Sequence, residues 1–332
     1  MTEARYHIAA IGNAIVDVLV QVDESLLAGL GVDKGVMTLI DEAQADRIYN
    51  ALPPAVECSG GSAANTAVGA ALLGARAVYL GKVRDDQLGS VFAHDIRHSG
   101  VDFPSQPAKD GPATARCFVL VTPDAQRTML TYLGACVAFG PEDVDGAVIA
   151  QAGVTYLEGY LFDPPLAKDA FRKAAKLAHE GGRKVALSLS DPFCVGRHRA
   201  EFLDLIGGHV DILFANEAEL TALYQTADFD QAVAMVRGHC DLAAITRGAL
   251  GSVVITQGQA ITVGAMPVAQ VVDTTGAGDL YAAGFLAGLA QNREPGHCAI
   301  MGGIAAAEII SHMGARPVDN LAELVAEAFS NS

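Results

Sequence analysis

The stretch Asp273-Thr274-Thr275-Gly276-Ala277-Gly278-Asp279 runs directly into the small-residue segment Leu280-Tyr281-Ala282-Ala283-Gly284-Phe285. This order of residues predicts a turn feeding a helix N-terminus. The N–H groups of Gly276, Ala277 and Gly278 then lack intrahelical partners. Together with the helix dipole they can surround an anion, which the missing side chains allow to approach closely. A carboxylate beside an anion hole is a poor anion ligand but a suitable base. Asp279 can take a proton from a hydroxyl while the N–H groups hold the phosphoryl group under attack. A helix cap with permissive glycines is the plainer alternative, and a G-x-G-D by itself does not choose between them.

Other chemistry-bearing residues are more scattered. Gly60-Gly61-Ser62-Ala63-Ala64 bears a partial likeness to a nucleophile elbow, which would make Ser62 a nucleophile and His297 or His312 its base. Ala64 stands where the second glycine of G-x-S-x-G belongs, and no feature pairs the serine with a histidine, so a hydrolase is disfavoured. No G-x-G-x-x-G follows the first apolar run, which argues against a dinucleotide-dependent oxidoreductase. The nine His and six Cys show no H-E-x-x-H, no C-x-x-C pair and no other ligand cluster, so a metal centre built on them has no support.

The elements that must position the glycine turn alternate. Short β-rich runs at Ile8–Ile11, Ala77–Leu80, Val154–Leu157, Val185–Leu189, Asp211–Phe214 and Leu242–Thr246 are separated by amphipathic stretches of helical length. The helical stretches are Ser62–Leu73, Gln87–His98, Leu166–Glu180, Glu217–Tyr224, Phe229–Gly238, Ala277–Ala290 and His297–Ser311. Such alternation predicts an α/β fold with a mostly parallel sheet covered by helices on both faces. Two regions break the rhythm. Val16–Val22 with Gly35–Ile40, and Ala113–Val121 with Arg127–Leu133, read as strand pairs and predict a small β-subdomain that can act as a lid.

With 332 residues, 51% hydrophobic and 18% charged, the chain is long and apolar enough to bury a sizeable core. Its net charge of −16 repels phosphate backbones and anionic lipid, so neither nucleic acid nor a membrane is an expected partner. The opening MTEARYHIAAIGN lacks a basic region followed by a long apolar one, and no apolar stretch reaches about 18 residues. Unpaired cysteines and no leader point to the cytoplasm.

The run Asp273 to Asp279 with Ala283-Gly284-Phe285, taken together with Gly60-Gly61-Ser62-Ala63-Ala64-Asn65, resembles the two signatures of the ribokinase-like (PfkB) carbohydrate and nucleoside kinases. Segments in the family's order run from Ile11-Gly12-Asn13 to Met313-Gly314. The resemblance implies one ribokinase-like domain over residues 1–332, a three-layer α/β sandwich whose mostly parallel central sheet carries a small β-sheet lid formed by residues 14–40 and 105–135. It implies ATP as co-substrate, Mg²⁺, and a small-molecule nucleoside or sugar as acceptor, and leaves open a monovalent cation such as K⁺ and a monomer or homodimer.

Residue by residue, the resemblance makes Asp279 the general base and Gly276, Ala277 and Gly278 the anion hole. Asn13, Asp17, Gly60, Gly61 and Asn65 correspond to the acceptor grip, and Arg127 to a lid arginine that approaches the transferred phosphoryl group. Asn216, Thr246, Gly248 and Gly251 correspond to the ATP side, with Glu219 holding water around Mg²⁺. Taken alone, Asn216 to Glu219 is also an ordinary helix start. Leu187 to Phe193 and Val210 to Glu217 resemble adenosine kinases more than ribokinases or fructokinases, while Tyr160, Leu161 and Phe162 are only loosely similar to the family's base-stacking region. The implied reaction is phosphorylation of a ribonucleoside 5′-hydroxyl, adenosine to AMP. The alternative is a sugar kinase of the ribokinase, fructokinase or 2-keto-3-deoxygluconate kinase type.

Overall fold

The computed structural model describes residues 4–124 and 126–330. In chain order its strands are β1 (Tyr6–Ile11), β2 (Ile15–Gln21), β3 (Met37–Leu39), β4 (Val56–Gly60), β5 (Ala77–Leu80), β6 (Val101–Asp102), β7 (Ala115–Val121), β8 (Arg127–Tyr132), β9 (Ala152–Glu158), β10 (Lys184–Ser188), β11 (Ile212–Asn216), β12 (Leu242–Thr246), β13 (Ser252–Thr256) and β14 (Ala260–Val263). Nine of them form one sheet in the order β14-β13-β12-β11-β10-β9-β1-β5-β6. Only the β12–β13 and β13–β14 pairings are antiparallel. The fold is a large mostly parallel sheet with a smaller second sheet, and 12 α-helices lie among the described residues.

Strands covered on both faces should read as continuous apolar runs, and β1 does: Ile8, Ala9, Ala10 and Ile11 are all fully buried. Ile8 and Ala10 pack with the helices Ser62–Leu72, Ala277–Ala290 and Pro295–Ile309. Ala9 and Ile11 pack on the other side with Pro165–Glu180 and Pro192–His209. Alternation along one strand thus divides the interior into two apolar layers. Because β1, β9, β10, β11 and β12 run parallel, their C-terminal ends reach one edge. Asn13, Glu158, Asn216 and Thr246 stand there.

The second sheet has the order β3-β8-β7-β2-β4. Its β7–β8 pair is the antiparallel hairpin the sequence predicts, in register from Arg116 with Tyr132 to Val121 with Arg127. The other expected pair does not form. β2 pairs with β7 and β4, while β3 pairs with β8. Between β2 and β3 lies a helix, Glu24–Leu30, capped by the Asp23 carboxylate accepting from the Leu26 N–H at 2.9 Å and closed by Gly31 in the left-handed region. That helix uses the residues a hairpin turn would need. β4 also extends the sheet to Gly60, beyond the boundaries 14–40 and 105–135; its sequence Val-Glu-Cys-Ser-Gly lacks the alternation that would mark it. No helix among the described residues is long and apolar enough to cross a membrane.

Candidate active site

The helix Ala277–Ala290 begins at Gly276, whose φ of +78° makes the left-handed turn into it. The Asp273 carboxylate ties the turn together, accepting from the N–H of Thr275 at 3.1 Å and of Gly314 at 3.3 Å. Of the three N–H groups expected around an anion, that of Ala277 donates within the turn, to the Thr274 carbonyl at 3.2 Å. Gly278 is exposed at the start of the helix. A Cβ built there meets no protein atom within 4 Å, so packing does not demand a glycine at this position.

Asp279 occupies the first turn of this helix, and two side chains from the helix Ser62–Leu72 hold it. Ser62 Oγ donates to Oδ1 at 2.6 Å and Asn65 Nδ2 donates to Oδ2 at 3.0 Å. Thr66 Oγ1 adds a bond to the Asp279 carbonyl at 3.2 Å. Burial raises the Asp279 pKa, and the Ser62 and Asn65 bonds pull it partly back. Each carboxylate oxygen keeps lone-pair capacity, so the carboxylate is fixed in orientation with room to accept a further hydrogen bond.

Asp17 lies on β2, opposite Cys58 of β4 and Cys117 of β7. Burial lifts its pKa to about 6, Asp279 adds to the rise, and Arg316 and Arg127 oppose it. Gly60 has to be glycine: a Cβ there would sit 2.2 Å from Asp17 Oδ2. Gly61 has φ of +95°, and its Cβ would fall 2.2 Å from the Asn13 carbonyl oxygen. Both glycines therefore have a packing reason that the sequence reading, which gave them to substrate, did not supply. Asn65 does more than grip an acceptor, since its amide donates to Asp279. Its Oδ1 is buried without a partner among the described residues, an orphaned acceptor beside the Asp279 carboxylate.

The other end of the edge carries Asn216, at the end of β11 and in register with Thr246 of β12. Asn216 and Glu219 form a reciprocal capping box. Asn216 Oδ1 accepts from the Glu219 N–H at 2.8 Å, and Glu219 accepts from the Asn216 N–H at 2.9 Å and from Nδ2 at 2.6 Å. Burial lifts the Glu219 pKa to about 7, and the charges of Asp191 and Asp279 add to it. Gly248 has φ of +55° with open space at its Cβ position. Gly251 is required by packing instead, because a Cβ would lie 2.1 Å from the Val263 carbonyl oxygen. Arg247 is held away at Glu217, at 2.9 and 3.1 Å, with its guanidinium 3.8 Å from the Phe229 ring centroid.

A half-buried, oriented carboxylate, a glycine turn opening a helix and a paired Asn–Glu helix start at one sheet edge coincide with a family pattern. The pattern of the pfkB family carbohydrate kinases matches residues 42–321. The chain belongs to that family. As a pfkB kinase it is an ATP-dependent enzyme acting on hydroxyl groups. The crystal structure of adenosine kinase from Sinorhizobium meliloti superposes with a TM-score of 0.89 at 52% identity, covering 98% of this chain and 100% of that one. A probable sugar kinase protein from Rhizobium etli CFN 42 gives 0.90 at 46% identity, covering 98% and 99%. Adenosine kinase from Saccharomyces cerevisiae is 28% identical over 92% of this chain and 95% of its own length.

A pfkB kinase uses Mg²⁺ with its ATP, and the residues present fit that use. Among the described residues no three His, Cys, Asp or Glu side chains converge as a metal cage. Glu219 has its pKa raised by burial and further by the charges of Asp191 and Asp279, so acidic charge is crowded at this end of the sheet edge.

The hydrolase alternative fails on geometry. Ser62 donates to Asp279, His312 Nε2 lies 2.9 Å from Glu308, and His297 packs against the Phe329 ring. Of the loosely matched base-stacking stretch, Leu161 and Phe162 are buried in the core, with Phe162 stacked 4.5 Å from Phe202, and only Tyr160 is exposed. Two site residues escaped the sequence reading. Glu158, at the end of β9, is 1% exposed; it accepts from Asn13 Nδ2 at 2.7 Å and from the Ala63 N–H at 2.7 Å, and so clamps the end of β1 to the helix that holds Asp279. Burial lifts its pKa to about 7. Arg316 reaches the same region from beyond the helix Pro295–Ile309. Neither lies in a motif, so only spacing in three dimensions reveals them.

Proposed function

We propose that this kinase transfers the γ-phosphoryl group of Mg·ATP to the 5′-hydroxyl of a ribonucleoside, with adenosine as the acceptor and AMP and ADP as products. The observation that carries the reading is the Asp279 carboxylate, fixed by Ser62 and Asn65 in the first turn of a helix whose entry holds Gly278 with no packing need for a glycine. Asp17, Asn13 and Asn65 supply acceptors and donors for a vicinal diol, orienting the 5′-hydroxyl toward Asp279. Asp279 accepts the hydroxyl proton as the oxygen bonds to the γ-phosphorus, and the bond from that phosphorus to the ADP oxygen breaks. The N–H groups at the helix entry face the charge that develops on the phosphoryl oxygens. Mg²⁺, when bound with the nucleotide, would supply charge neutralisation for the phosphates. Asn216, Thr246 and Gly248 serve the nucleotide side, with Glu219 addressing the ion through water.

The small sheet acts as the lid, with β8 delivering Arg127. Adenosine rather than a sugar is supported by the relatives named adenosine kinase, one of them 52% identical over nearly the whole chain. The equally similar fold of a probable sugar kinase at 46% identity keeps the sugar reading as the second one. A coupled ADP-release assay across nucleosides and sugars with Mg·ATP separates them. Turnover of ribose, fructose or a keto-deoxy sugar acid well above that of adenosine would replace the nucleoside with a sugar.

A further inference from the structure

We propose that Arg316 is a positioning residue for phosphoryl transfer, the shared cationic support of the two carboxylates that meet the acceptor, Asp17 and Asp279. The proposal rests on the kinase reading with Asp279 as base.

Arg316 Nη1 donates to the Ala64 carbonyl at 3.3 Å, and Nη2 donates to the Ser59 carbonyl and to Ser59 Oγ, the latter at 2.9 Å. Each of these bonds ends on a neutral oxygen. A guanidinium cannot shed its charge, and a half-buried charge bonded only to neutral oxygens is costly unless other charges answer it. The answering groups are the acids around it. The charges of Asp17, Asp95 and Asp279 hold the Arg316 pKa up against the burial that lowers it, and Arg316 in turn lowers the pKa values of Asp17 and Asp279.

The two anchors belong to the two frames of the acceptor site. Ser59 lies on β4, which pairs with β2 through Val16 with Ser59 and Asp17 with Cys58, so it fixes the strand that carries Asp17. Asp95 accepts from the Ser59 N–H at 2.8 Å and from its hydroxyl at 2.5 Å, holding that anchor from the far side. Ala64 lies in the helix whose Ser62 and Asn65 hold Asp279. One guanidinium therefore sets the spacing between the strand of Asp17 and the helix that holds Asp279 while pulling both carboxyl pKa values down.

The acid limb of the rate profile reads this directly. Asp279 faces Ser62 and Asn65 from their helix, Asp17 from β2, Tyr156 and Glu158 from β9, Tyr160 beyond β9, Glu219 from the nucleotide side and Arg316. Arg316 is the cation acting on Asp279, whereas Asp17 also faces Arg127, so loss of Arg316 falls chiefly on Asp279 and leaves its neighbouring acids to raise its pKa.

The experiment measures kcat/KM against pH with adenosine and Mg·ATP for the wild type, Arg316→Lys, Arg316→Gln and Arg316→Met, with thermal melts of each. In the two neutral variants the acid limb should move to higher pH by about half a unit or more, with kcat at neutral pH down about tenfold, while the lysine variant keeps a limb near that of the wild type. Neutral variants that fold and keep the wild-type limb, or that do not fold at all, make Arg316 a structural staple and overturn the proposal. A wild-type enzyme that releases no ADP with any nucleoside or sugar instead defeats the kinase reading on which the proposal stands.

Discussion

Arg127 Nη1 lies 2.7 Å from an Asp273 carboxylate oxygen, and the two side chains are only 9% and 10% exposed. This ion pair docks the start of β8 in the small sheet onto the turn that leads to Asp279. Arg127 Nε and Nη2 are buried without partners among the described residues, which leaves N–H groups for an anion beside the pair. The arginine that the sequence offers to the phosphoryl group is thus first a strut of the glycine turn.

Removing one partner of a pair this deep strands the other charge. Arg127→Ala should cost about 3 kcal/mol of stability in urea unfolding, and adding Asp273→Asn should restore part of it. An unchanged midpoint in the single variant would show that the pair supports nothing.

Asp279→Asn preserves the shape of the side chain and keeps an acceptor for Ser62, but it cannot take a proton. Turnover should fall about 100-fold or more, with ATP binding and the melting temperature close to those of the wild type. Wild-type-like turnover would remove Asp279 from the mechanism.

Gly278→Ala separates ligand from fold. A methyl group there meets no protein atom within 4 Å, so the melting temperature should hold, while kcat/KM falls because the methyl crowds the phosphoryl group. A large stability loss with intact kinetics would mean that the glycine serves the turn alone.

Asp17 carries a pKa raised to about 6, chiefly by burial. For a carboxyl raised above its unfolded value, the folded state binds the proton more tightly. Its contribution to stability is full below the unfolded pKa and is lost as pH rises through the folded pKa. Asp17→Asn should therefore raise the melting temperature above pH 6 and change it little at pH 4, while weakening the nucleoside far more than ATP. Equal loss of both ligands would place Asp17 outside the acceptor grip, and a lowered melting temperature above pH 6 would show that its charge is answered by Arg316 and Arg127 more than it is penalised by burial.

If the small sheet closes over the acceptor, adenosine binding should slow amide exchange in β2, β3 and β8 more than in the central parallel strands. β7 is buried along nearly its whole length and should already be protected. Uniform protection across both sheets, or none in the smaller one, would remove the lid.

The glycine turn, its aspartate, the alternation of strands and helices and the hairpin of β7 and β8 were legible in the sequence because each depends on neighbours within one element. Capping, periodicity and a positive φ are local properties, written in adjacent residues. The partners of β2 were not legible, since register between distant strands is chosen by burial of whole faces; nor was β4, which pairs only because β2 lies beside it. The capping role of Asn216 with Glu219 was open to either reading, and the structure gives its geometry.

Glu158 and Arg316 belong wholly to the tertiary structure. Glu158 becomes a clamp because β9 sits beside β1 and faces the N-terminus of the helix that follows β4. Arg316 becomes a counter-charge because the fold returns the chain, more than 250 residues later, to Ser59 and Ala64. A buried charge has no sequence signature of its own. Its meaning comes from the charges that answer it, and only folding brings those together.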